Sequence, residues 1–355
     1  MTTSPRIAVI AGDGIGREVV PPVVELVDTL LRHDGVTARW TTLDWSTERY
    51  LATGEYIPPG GLELLAGHDA ILLGAVGDPR VPDAVSLGDL LLRIRRHFDQ
   101  FVNLRPLSSL PGVTMPLRDG APFDLVVVRE NTEGEYADIG GRVHAGRPQE
   151  VVVQTSVFTR AGVERLLRFS FQLAARRRGV VTSATKSNAL RHSMVFWEEV
   201  AADVAKDFPG VEYRHVHIDA LAAALVRDPS RFDVIASSNL FGDILADLGA
   251  VLMGSIGAAP SGNINPDRSQ PSMFEPVHGS APDIVGRGIA SPVGQLLSAV
   301  LMLDHLGLAD QARRLDGAVR AALASGDAVT PDLGGTADTG GACRAVARVL
   351  GAPVP

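Results

Sequence analysis

Apolar and polar positions divide the chain into short apolar runs separated by longer amphipathic stretches. The short runs are typical of strands buried on both faces of a sheet, and they lie at 6–10, 70–73, 124–128, 179–183 and 232–236. The stretches between them carry apolar residues at helical spacing, as over 15–31 and 159–178. Strands that alternate with helices predict an α/β fold with a largely parallel sheet.

Two stretches interrupt this alternation. Residues 131–142, NTEGEYADIGGR, are mostly polar and predict an irregular segment. Residues 254–267 are rich in Gly, Pro and Asn and predict a series of turns. Helical patterns at 293–306, 309–324 and 337–350 then follow to the end of the chain.

Composition excludes several classes of protein. At 355 residues the chain has room for two domains, and a net charge of −8 argues against nucleic acid as a partner. The first residues show neither an apolar core nor a basic leader, and no run approaches the roughly 18 apolar residues of a membrane span. We therefore expect no signal peptide, no membrane partner and a cytoplasmic location. The single cysteine, Cys343, excludes an internal disulfide framework.

A pair of carboxylates stands out in the helical stretch NLFGDILADLG. Asp243 and Asp247 are four residues apart, so they share one face of the helix, where a hard divalent cation would offset their repulsion. The alternative is that both lie near the first helical turn, where the helix dipole stabilises acids. Asp219 begins another predicted helix and either completes the metal site or caps that helix.

Arginines lie near the predicted ends of three elements, where α/β sheets expose binding groups: Arg95, Arg105 and Arg129. Because a guanidinium offers a two-pronged fork to a carboxylate, three converging forks would bind a di- or tricarboxylic acid. The alternative is that each one is a surface or ion-paired arginine, of which this chain has many.

Two residues are candidates for proton transfer. Lys186 and Lys206 are the only lysines, and Lys206 has the setting of a surface residue at a helix end, whereas Lys186 follows a buried strand directly. An amine can lose a proton at a pH where guanidinium cannot, which suits Lys186 to the role of a base. Tyr136 is either a proton donor or a loop tyrosine that packs its ring.

The turn after the first strand is a candidate ligand site. Its glycines fall at 12, 14 and 16, which is not the spacing of a Rossmann dinucleotide motif, although a strand–Gly turn–helix unit can still approach a ligand. Farther along, His278 is a ligand, a base or a turn-former, and the sequence leaves the three open. Asp283 either accepts from ribose hydroxyls or merely starts a helix.

Taken together, these residues resemble the metal-dependent β-decarboxylating dehydrogenases, the isopropylmalate/isocitrate dehydrogenase family. The resemblance is carried by GDGIGREV (12–19), LLRIRRHFDQFVNLRP (91–106), VVVRENTEGEY (126–136), TSATKSN (182–188), HID (217–219), SNLFGDILADLG (238–249), FEPVHGSAPDI (274–284) and TPDLGGTADT (330–339). It implies a two-domain α/β/α sandwich rather than a Rossmann fold. Residues 1–100 plus 255–355 would form the cofactor-binding domain, and 101–254 the substrate, metal and dimerisation domain.

The resemblance also implies how the site is assembled from two subunits of a homodimer. Arg95, Arg105 and Arg129 would hold the substrate carboxylate that is later lost. Asp243 and Asp247, with Asp219 contributed by the other subunit, would bind Mg²⁺ or Mn²⁺. Lys186, also from the other subunit, would take the hydroxyl proton, and Tyr136 would protonate the enol carbon. Asp219 would be a catalytic residue together with these two.

The cofactor implied by the resemblance is NAD, because an acid followed by an apolar residue, Asp283 and Ile284, is typical of the NAD-dependent members. Ser291 stands where the family usually carries Asn. Whether K⁺ is also required is left open. The residues expected to contact NAD are Ile15, Asn188, Glu275, His278, Gly279, Ser280, Ala281, Asp283, Ile284 and Ser291.

Within the family, ENTEGEYADIGGR and TSATKSNA are closest to the tartrate/D-malate dehydrogenase (decarboxylating) branch. The substituent on carbon three would meet Leu91, Leu92, Gly88 and, from the other subunit, Ala189. The resemblance disfavours isocitrate, because the Ser and Asn expected for its extra carboxylate are absent, with Asp89 and Leu91 in those places. We therefore expect D-malate or tartrate as substrate, with 3-isopropylmalate or another 3-substituted malate as alternatives. A non-catalytic binding paralogue is an alternative of another class, which the intact proton-transfer residues oppose.

Overall fold

The computed structural model describes residues 4–117 and 121–351, and within them a sheet of ten strands forms the centre of the molecule. Its strands are β1 (Arg6–Gly12), β2 (Arg39–Thr42), β3 (Ala70–Ala75), β4 (Val102–Ser108), β5 (Asp124–Glu130), β8 (Val180–Thr185), β9 (Glu212–His217), β10 (Val234–Ser237), β11 (Pro260–Ile264) and β12 (Ser272–Pro276). Two further strands, β6 (Gly134–Val143) and β7 (Val151–Val157), pair only with each other in an antiparallel ribbon in the described part of the chain.

The order of strands across the sheet is β2-β1-β3-β12-β11-β4-β5-β10-β8-β9. Neighbours run parallel except around the middle, where β12 with β11, β11 with β4, and β4 with β5 are antiparallel. The predicted parallel sheet is therefore confirmed on both flanks and is mixed at its centre. One flank comes from the beginning and end of the chain and the other from its middle. This order suits the predicted division into two domains, whose boundaries stay a prediction.

The longer helices that cover the sheet do so with an apolar stripe. In α1, for example, Val19, Val23, Leu26 and Leu30 are buried at helical spacing. The helices are α1 (Gly16–His33), α2 (Thr47–Thr53), α3 (Gly61–Ala66), α4 (Asp83–Ser86), α5 (Arg93–His97), α6 (Arg160–Ala175), α7 (Ser193–Ala205), α8 (Ile218–Arg227), α9 (Asn239–Leu252), α10 (Val293–His305), α11 (Ala309–Ala324) and α12 (Thr339–Leu350). Within the described ranges, none of them has the length and apolar character needed to cross a membrane.

Several predicted elements differ from the structure. The stretch 131–142, predicted to be irregular, contributes β6, so Tyr136 lies on a strand rather than in a loop. The stretch 254–267, predicted as turns, contains β11, whose backbone pairs on both sides despite its Pro, Gly and Asn residues. Residues 87–97 carry a pattern that predicts one helix, but the structure has a π-helical turn over Leu87–Leu92 followed by α5. Turns of this kind are frequent at functional sites.

Candidate active site

A cavity of about 280 Å³ opens where the middle of the sheet meets the π-helical turn and α9. It brings together side chains that are far apart in the sequence. Those that line it include Leu87, Leu91, Leu92, Arg95, Arg105, Arg129, Tyr136, Asp243, Glu275, His278 and Gly279. All three predicted arginines, the predicted proton donor and one predicted metal ligand therefore share one cavity.

The three arginines are buried rather than solvated, being 4%, 6% and 2% exposed for Arg95, Arg105 and Arg129. Arg129 donates from Nε and Nη2 to Oδ1 of Asn239, at 3.0 and 2.7 Å, and from Nη1 to Asp243. The interpretation that these are surface arginines is therefore wrong, whereas the alternative that each is ion-paired is confirmed: Arg95 pairs with Glu275, and the other two pair with Asp243. Asn239 is the first residue of α9, and its part in fixing Arg129 was not anticipated from the sequence.

Burying several positive charges together perturbs their protonation. Burial, with repulsion from Arg105, lowers the pKa of Arg129 to about 9, and burial also lowers the pKa of Arg105. Arg129 nevertheless stays charged at neutral pH. Among the described residues no hydrogen-bond partner reaches Nε of Arg95, although that atom is buried. The cavity thus offers positive charge to an anion.

The carboxylates of α9 face these arginines. Arg105 lies 3.3 Å from Asp243 through Nη2 and 3.2 Å from Asp247 through Nη1. Neither acid is in the first helical turn, so the helix dipole is not what compensates them. Burial raises the pKa of Asp243, but Arg129 and Arg105 outweigh it and hold the pKa below its ordinary value. For Asp247 burial dominates and the pKa is raised.

The third predicted metal ligand is elsewhere in this chain. Asp219 lies in the first turn of α8, is largely exposed, and accepts a 2.6 Å hydrogen bond from Nζ of Lys186. In the described ranges no group of three or more His, Cys, Asp or Glu side chains is arranged to hold a metal ion. A single chain therefore supplies Asp243 to the cavity and Asp247 one helical turn farther along α9, paired with Arg105. The prediction that Asp219 and Lys186 come from another subunit stays a prediction.

Tyr136 is held against the same carboxylate. Its hydroxyl donates to Oδ2 of Asp243 at 3.0 Å, and the guanidinium of Arg129 lies 5.3 Å from the centre of its ring. Burial and the negative charge of Asp243 raise the pKa of Tyr136. The phenol is therefore protonated at neutral pH, as a proton donor must be.

The turn after β1 borders a second cavity, of about 380 Å³. The turn is fixed by a 2.9 Å hydrogen bond from N of Ile15 to O of Ser280, and a Cβ on Gly14 would lie 2.1 Å from that same oxygen. His278 lines both cavities. Of the residues predicted to contact NAD, those that line this second cavity are Ile15, His278, Ala281, Ile284 and Ser291.

Other predicted residues lie outside these two cavities. Asp283 is exposed, and Asn188 and Ala189 follow β8 beside Lys186. Gly88 does not line the first cavity, and a Cβ there would meet no described atom within 4 Å; Leu87, which was not predicted, lines it instead. Leu87 is the first residue of the π-helical turn, and no spacing rule in the sequence predicts such a turn.

Comparison with known proteins identifies the family. The sequence profile described as isocitrate/isopropylmalate dehydrogenase matches residues 6–348, nearly the whole chain. The chain belongs to the isocitrate/isopropylmalate dehydrogenase family. The resemblance and the fold class predicted from the sequence are thereby confirmed, and the protein is an oxidoreductase of the decarboxylating dehydrogenase class.

Relatives within the family agree in class and differ in substrate. The chain is 49% identical over 336 residues to a probable tartrate dehydrogenase/decarboxylase of Bacillus subtilis strain 168, covering 94% of each chain. It is 47% identical over 361 residues to a D-malate dehydrogenase (decarboxylating) of Escherichia coli K12, covering 99% of each. A 3-isopropylmalate dehydrogenase of Beutenbergia cavernae is 49% identical over 353 residues, covering 99% of this chain and 100% of that one.

A solved structure shares the family fold. The crystal structure of isocitrate dehydrogenase from Methylococcus capsulatus superposes with a TM-score of 0.89 at 33% identity, covering 98% of this chain and 99% of that one. The mixed central sheet described above is therefore the architecture of the family.

Proposed function

We propose that the protein catalyses the NAD- and divalent-metal-dependent oxidative decarboxylation of a (2R)-2-hydroxy acid that bears a carboxylate on carbon three. The substrate we favour is D-malate or tartrate, giving a 2-oxo acid and CO₂. The observation that carries this proposal is the convergence of Arg95, Arg105 and Arg129, all buried, on a cavity that also holds Tyr136 and Asp243. Such a cavity suits a small polyanion.

The choice of substrate rests on the relatives and on one wall of the cavity. Relatives named for tartrate and D-malate match 94% and 99% of the chain. The alternative, 3-isopropylmalate, is favoured by the apolar wall formed by Leu87, Leu91 and Leu92, and by a relative of equal identity named for that acid. A wall of this kind would accept the branched substituent of isopropylmalate, whereas D-malate would leave it in contact with water.

The carboxylates of α9 fit a divalent cation in their chemistry. Asp243 and Asp247 present hard oxygen donors, which Mg²⁺ and Mn²⁺ prefer, and Asp219 of a second copy would complete the set. When bound, the ion would supply Lewis-acid stabilisation of negative charge on the substrate oxygens. The arginines that now pair with these acids would turn to the carboxylate groups of the substrate.

Proton transfer is assigned to two side chains. Lys186 of a second copy, acting in its neutral form, would take the proton of the 2-hydroxyl. NAD⁺, when bound, would supply the acceptor for the hydride of carbon two. Loss of CO₂ then leaves the electron pair on carbon three. Tyr136 would deliver its phenolic proton to that carbon, which its raised pKa suits because the phenol is protonated beforehand.

NAD would lie along the second cavity. An apolar lining with Ile15, Ala281 and Ile284 fits a flat aromatic base, and Nε2 of His278 is buried with no hydrogen-bond partner among the described residues. A carboxylate at Asp283 would repel the extra phosphate of NADP. We therefore assign NAD, and keep all ten residues named for it above as the expected contacts.

Exposed apolar residues support a homodimer with shared sites. The ribbon of β6 and β7 exposes Ile139, Val143, Val151, Val152 and Val153, and Val152 alone is 65% exposed. Ile244, between the two acids of α9, is also exposed. Apolar patches of this kind mark interfaces, and an interface beside Asp243 would bring Lys186 and Asp219 of a second copy to the cavity. On this basis 101–254 would be the dimerisation domain, and 1–100 plus 255–355 the cofactor domain.

The substrate is tested by following NADH formation with Mn²⁺ and D-malate, tartrate, 3-isopropylmalate or isocitrate in parallel. We expect the highest kcat/KM on D-malate or tartrate. A higher value on 3-isopropylmalate would establish the alternative substrate. Tight binding of these acids without turnover of any of them would refute the enzymatic proposal and establish a binding paralogue.

The shared site is tested by mixing two inactive variants. Lys186→Met and Tyr136→Phe homodimers would each lack one proton-transfer group in every site, although Mn²⁺ and NAD should still bind. A mixed dimer would contain one site with both groups, so random assortment should restore about a quarter of wild-type activity. Activity that stays at the level of the separate variants would show that each subunit supplies its own lysine.

A further inference from the structure

A continuous chain of buried polar side chains joins two of the arginines behind the first cavity. Arg105 donates from Nε to Oδ1 of Asn103 at 2.8 Å, and Asn103 donates from Nδ2 to Oδ1 of Asn263 at 3.0 Å. Asn263 donates from Nδ2 to Oε1 of Glu275 at 2.8 Å, and the same oxygen accepts from Nη2 of Arg95 at 2.7 Å. Asn103 and Asn263, which we call the amide bridge, are both fully buried.

Strand register explains why these side chains meet. Asn103 on β4 is directly opposite Asn263 on β11, so both side chains point to the same face of the sheet. Arg105 follows Asn103 by two positions and therefore shares that face. Glu275 on β12 is opposite Ser261, two positions before Asn263, and so joins the row. The antiparallel centre of the sheet thus delivers a line of polar groups beneath the cavity.

The two ends of the chain fix the direction of both amides. Arg105 can only donate, so Oδ1 of Asn103 must face it, and the carboxylate of Glu275 can only accept, so Nδ2 of Asn263 must face that carboxylate. Asn131 donates to Oδ1 of Asn263 at 3.0 Å, which supports the same orientation. If either amide turned over, two donors or two acceptors would meet in the buried interior, at a cost in free energy.

We propose that Asn103 and Asn263 are positioning residues, which lock the guanidinium groups of Arg95 and Arg105 relative to each other so that the two forks grip one dicarboxylate. The inference rests on the proposed function, since it assumes a dicarboxylic acid in the first cavity. Two arginines in one cavity repel each other, and each has several rotatable bonds. The amide bridge opposes both tendencies, because it ties one guanidinium through Nε and the other through its carboxylate partner.

The test compares Asn263→Ala with a matched control, Asn265→Ala. Asn265 is equally part of the buried polar interior, and its Nδ2 donates to O of Phe98 at 3.2 Å, but it touches neither arginine. We expect Asn263→Ala to raise KM for D-malate by about tenfold or more, with little change in kcat, since one fixed charge-assisted contact is loosened. We expect the control to keep the wild-type KM even where its thermal midpoint falls as far.

A monocarboxylate separates positioning from general damage. The ratio of kcat/KM for D-malate to that for (R)-2-hydroxybutyrate should fall by the same factor as the KM rises, because only the dicarboxylate needs two arginines at a set spacing. The stabilisation of the folded protein by Mn²⁺ should be unchanged. An equal KM and an equal ratio in Asn263→Ala and Asn265→Ala would overturn the inference.

A double variant keeps the inference testable if removal of the amide unfolds the protein. Asn263→Asp cannot donate to Glu275 and should show the same loss of selectivity. Adding Glu275→Gln moves the carboxylate to position 263 and the amide to position 275, so that a donor again faces an acceptor and Arg95 keeps an acceptor. Selectivity for the dicarboxylate should recover relative to Asn263→Asp. No recovery in a folded double variant would refute the role of the amide bridge.

A wild-type protein that turns over no dicarboxylate would instead refute the proposed function, and the inference with it.

Discussion

Asp243→Asn tests the electrostatic balance of the cavity in one substitution. The carboxylate of Asp243 pairs with Arg129, lies 3.3 Å from Arg105 and accepts from the hydroxyl of Tyr136 at 3.0 Å. Asparagine keeps the shape of the side chain but removes its charge. Two buried guanidinium groups would then lose their shared counterion, while the substrate that should replace it is absent.

The expected loss follows from burial. Removing one partner of a fully buried ion pair costs about 3–5 kcal/mol, because the remaining charge is left unpaired. The side chain of Asp243 is 32% exposed, and water reaching it reduces that cost. Arg105 also keeps Asp247 at 3.2 Å as a partner. We therefore expect the free energy of unfolding to fall by about 2 kcal/mol.

The assay is urea unfolding at fixed protein concentration, with and without Mn²⁺. The matched control is Asp316→Asn on α11. That side chain is 34% exposed and also pairs with an arginine, Arg320, but on the surface. Loss of this ion pair should lower the free energy of unfolding by less than about 1 kcal/mol. Mn²⁺ at 100 times its Kd should stabilise the wild type and the control by about 2.7 kcal/mol. Asp243→Asn should lose most of this effect. Equal stability of the two variants, with equal Mn²⁺ effects, would refute both the counterion and the ligand assignments.

Two further predictions concern the cofactor turn and pH. Gly14→Ala should raise the Kd for NAD at least about tenfold, because its Cβ would lie 2.1 Å from O of Ser280. Gly35→Ala is the control, since Gly35 also has a positive φ but has open space where the Cβ would lie. An equal rise in Kd in both variants would contradict the reasoning. His305 has its pKa lowered to about 4 by burial and by Arg268. Between pH 6.5 and 4 the unfolded chain binds a proton at this histidine that the folded protein does not bind. The free energy of unfolding is therefore highest above pH 6.5 and falls by at most about 3 kcal/mol as the pH is lowered to 4. In His305→Gln, the free energy of unfolding measured with urea should therefore depend less on pH between 6.5 and 4. A dependence as steep as that of the wild type would show that the ring is solvated.

The parts of the fold that the sequence predicts well are those where one periodicity dominates. β3 and β5 are unbroken apolar runs, and α1 buries a regular stripe, so their places were predictable to within a few residues. β11 and β6 were missed for a physical reason. β11 is stabilised by backbone pairing with two neighbours, and its Gly, Pro and Asn residues give no sign of that pairing. In the described ranges β6 pairs with β7 alone, in an exposed two-stranded ribbon.

The sequence predicts which residues belong to the site better than it predicts the contacts between them. The resemblance named the arginines, Tyr136 and the acids of α9, and the cavity unites most of them. The amide bridge was not found, because it depends on the register between β4 and β11, strands about 160 residues apart. The place of Leu87 depends on a π-helical turn. Such features arise from tertiary packing, and local propensity carries no signal for them.

The pairing of Arg105 with both proposed metal ligands implies that metal binding and substrate binding strengthen each other. Asp243 and Asp247 are held by Arg105, so a cation must compete with a guanidinium for the same oxygens. A substrate carboxylate that engages Arg105 would release those oxygens, and a cation would in turn release the guanidinium. Linkage then requires D-malate to lower the Kd for Mn²⁺ by the same factor by which Mn²⁺ lowers the Kd for D-malate. Calorimetric titrations of Asn265→Ala and Arg105→Met should show this coupling intact in the first variant and weakened in the second, and equal coupling in both would exclude Arg105 as its carrier.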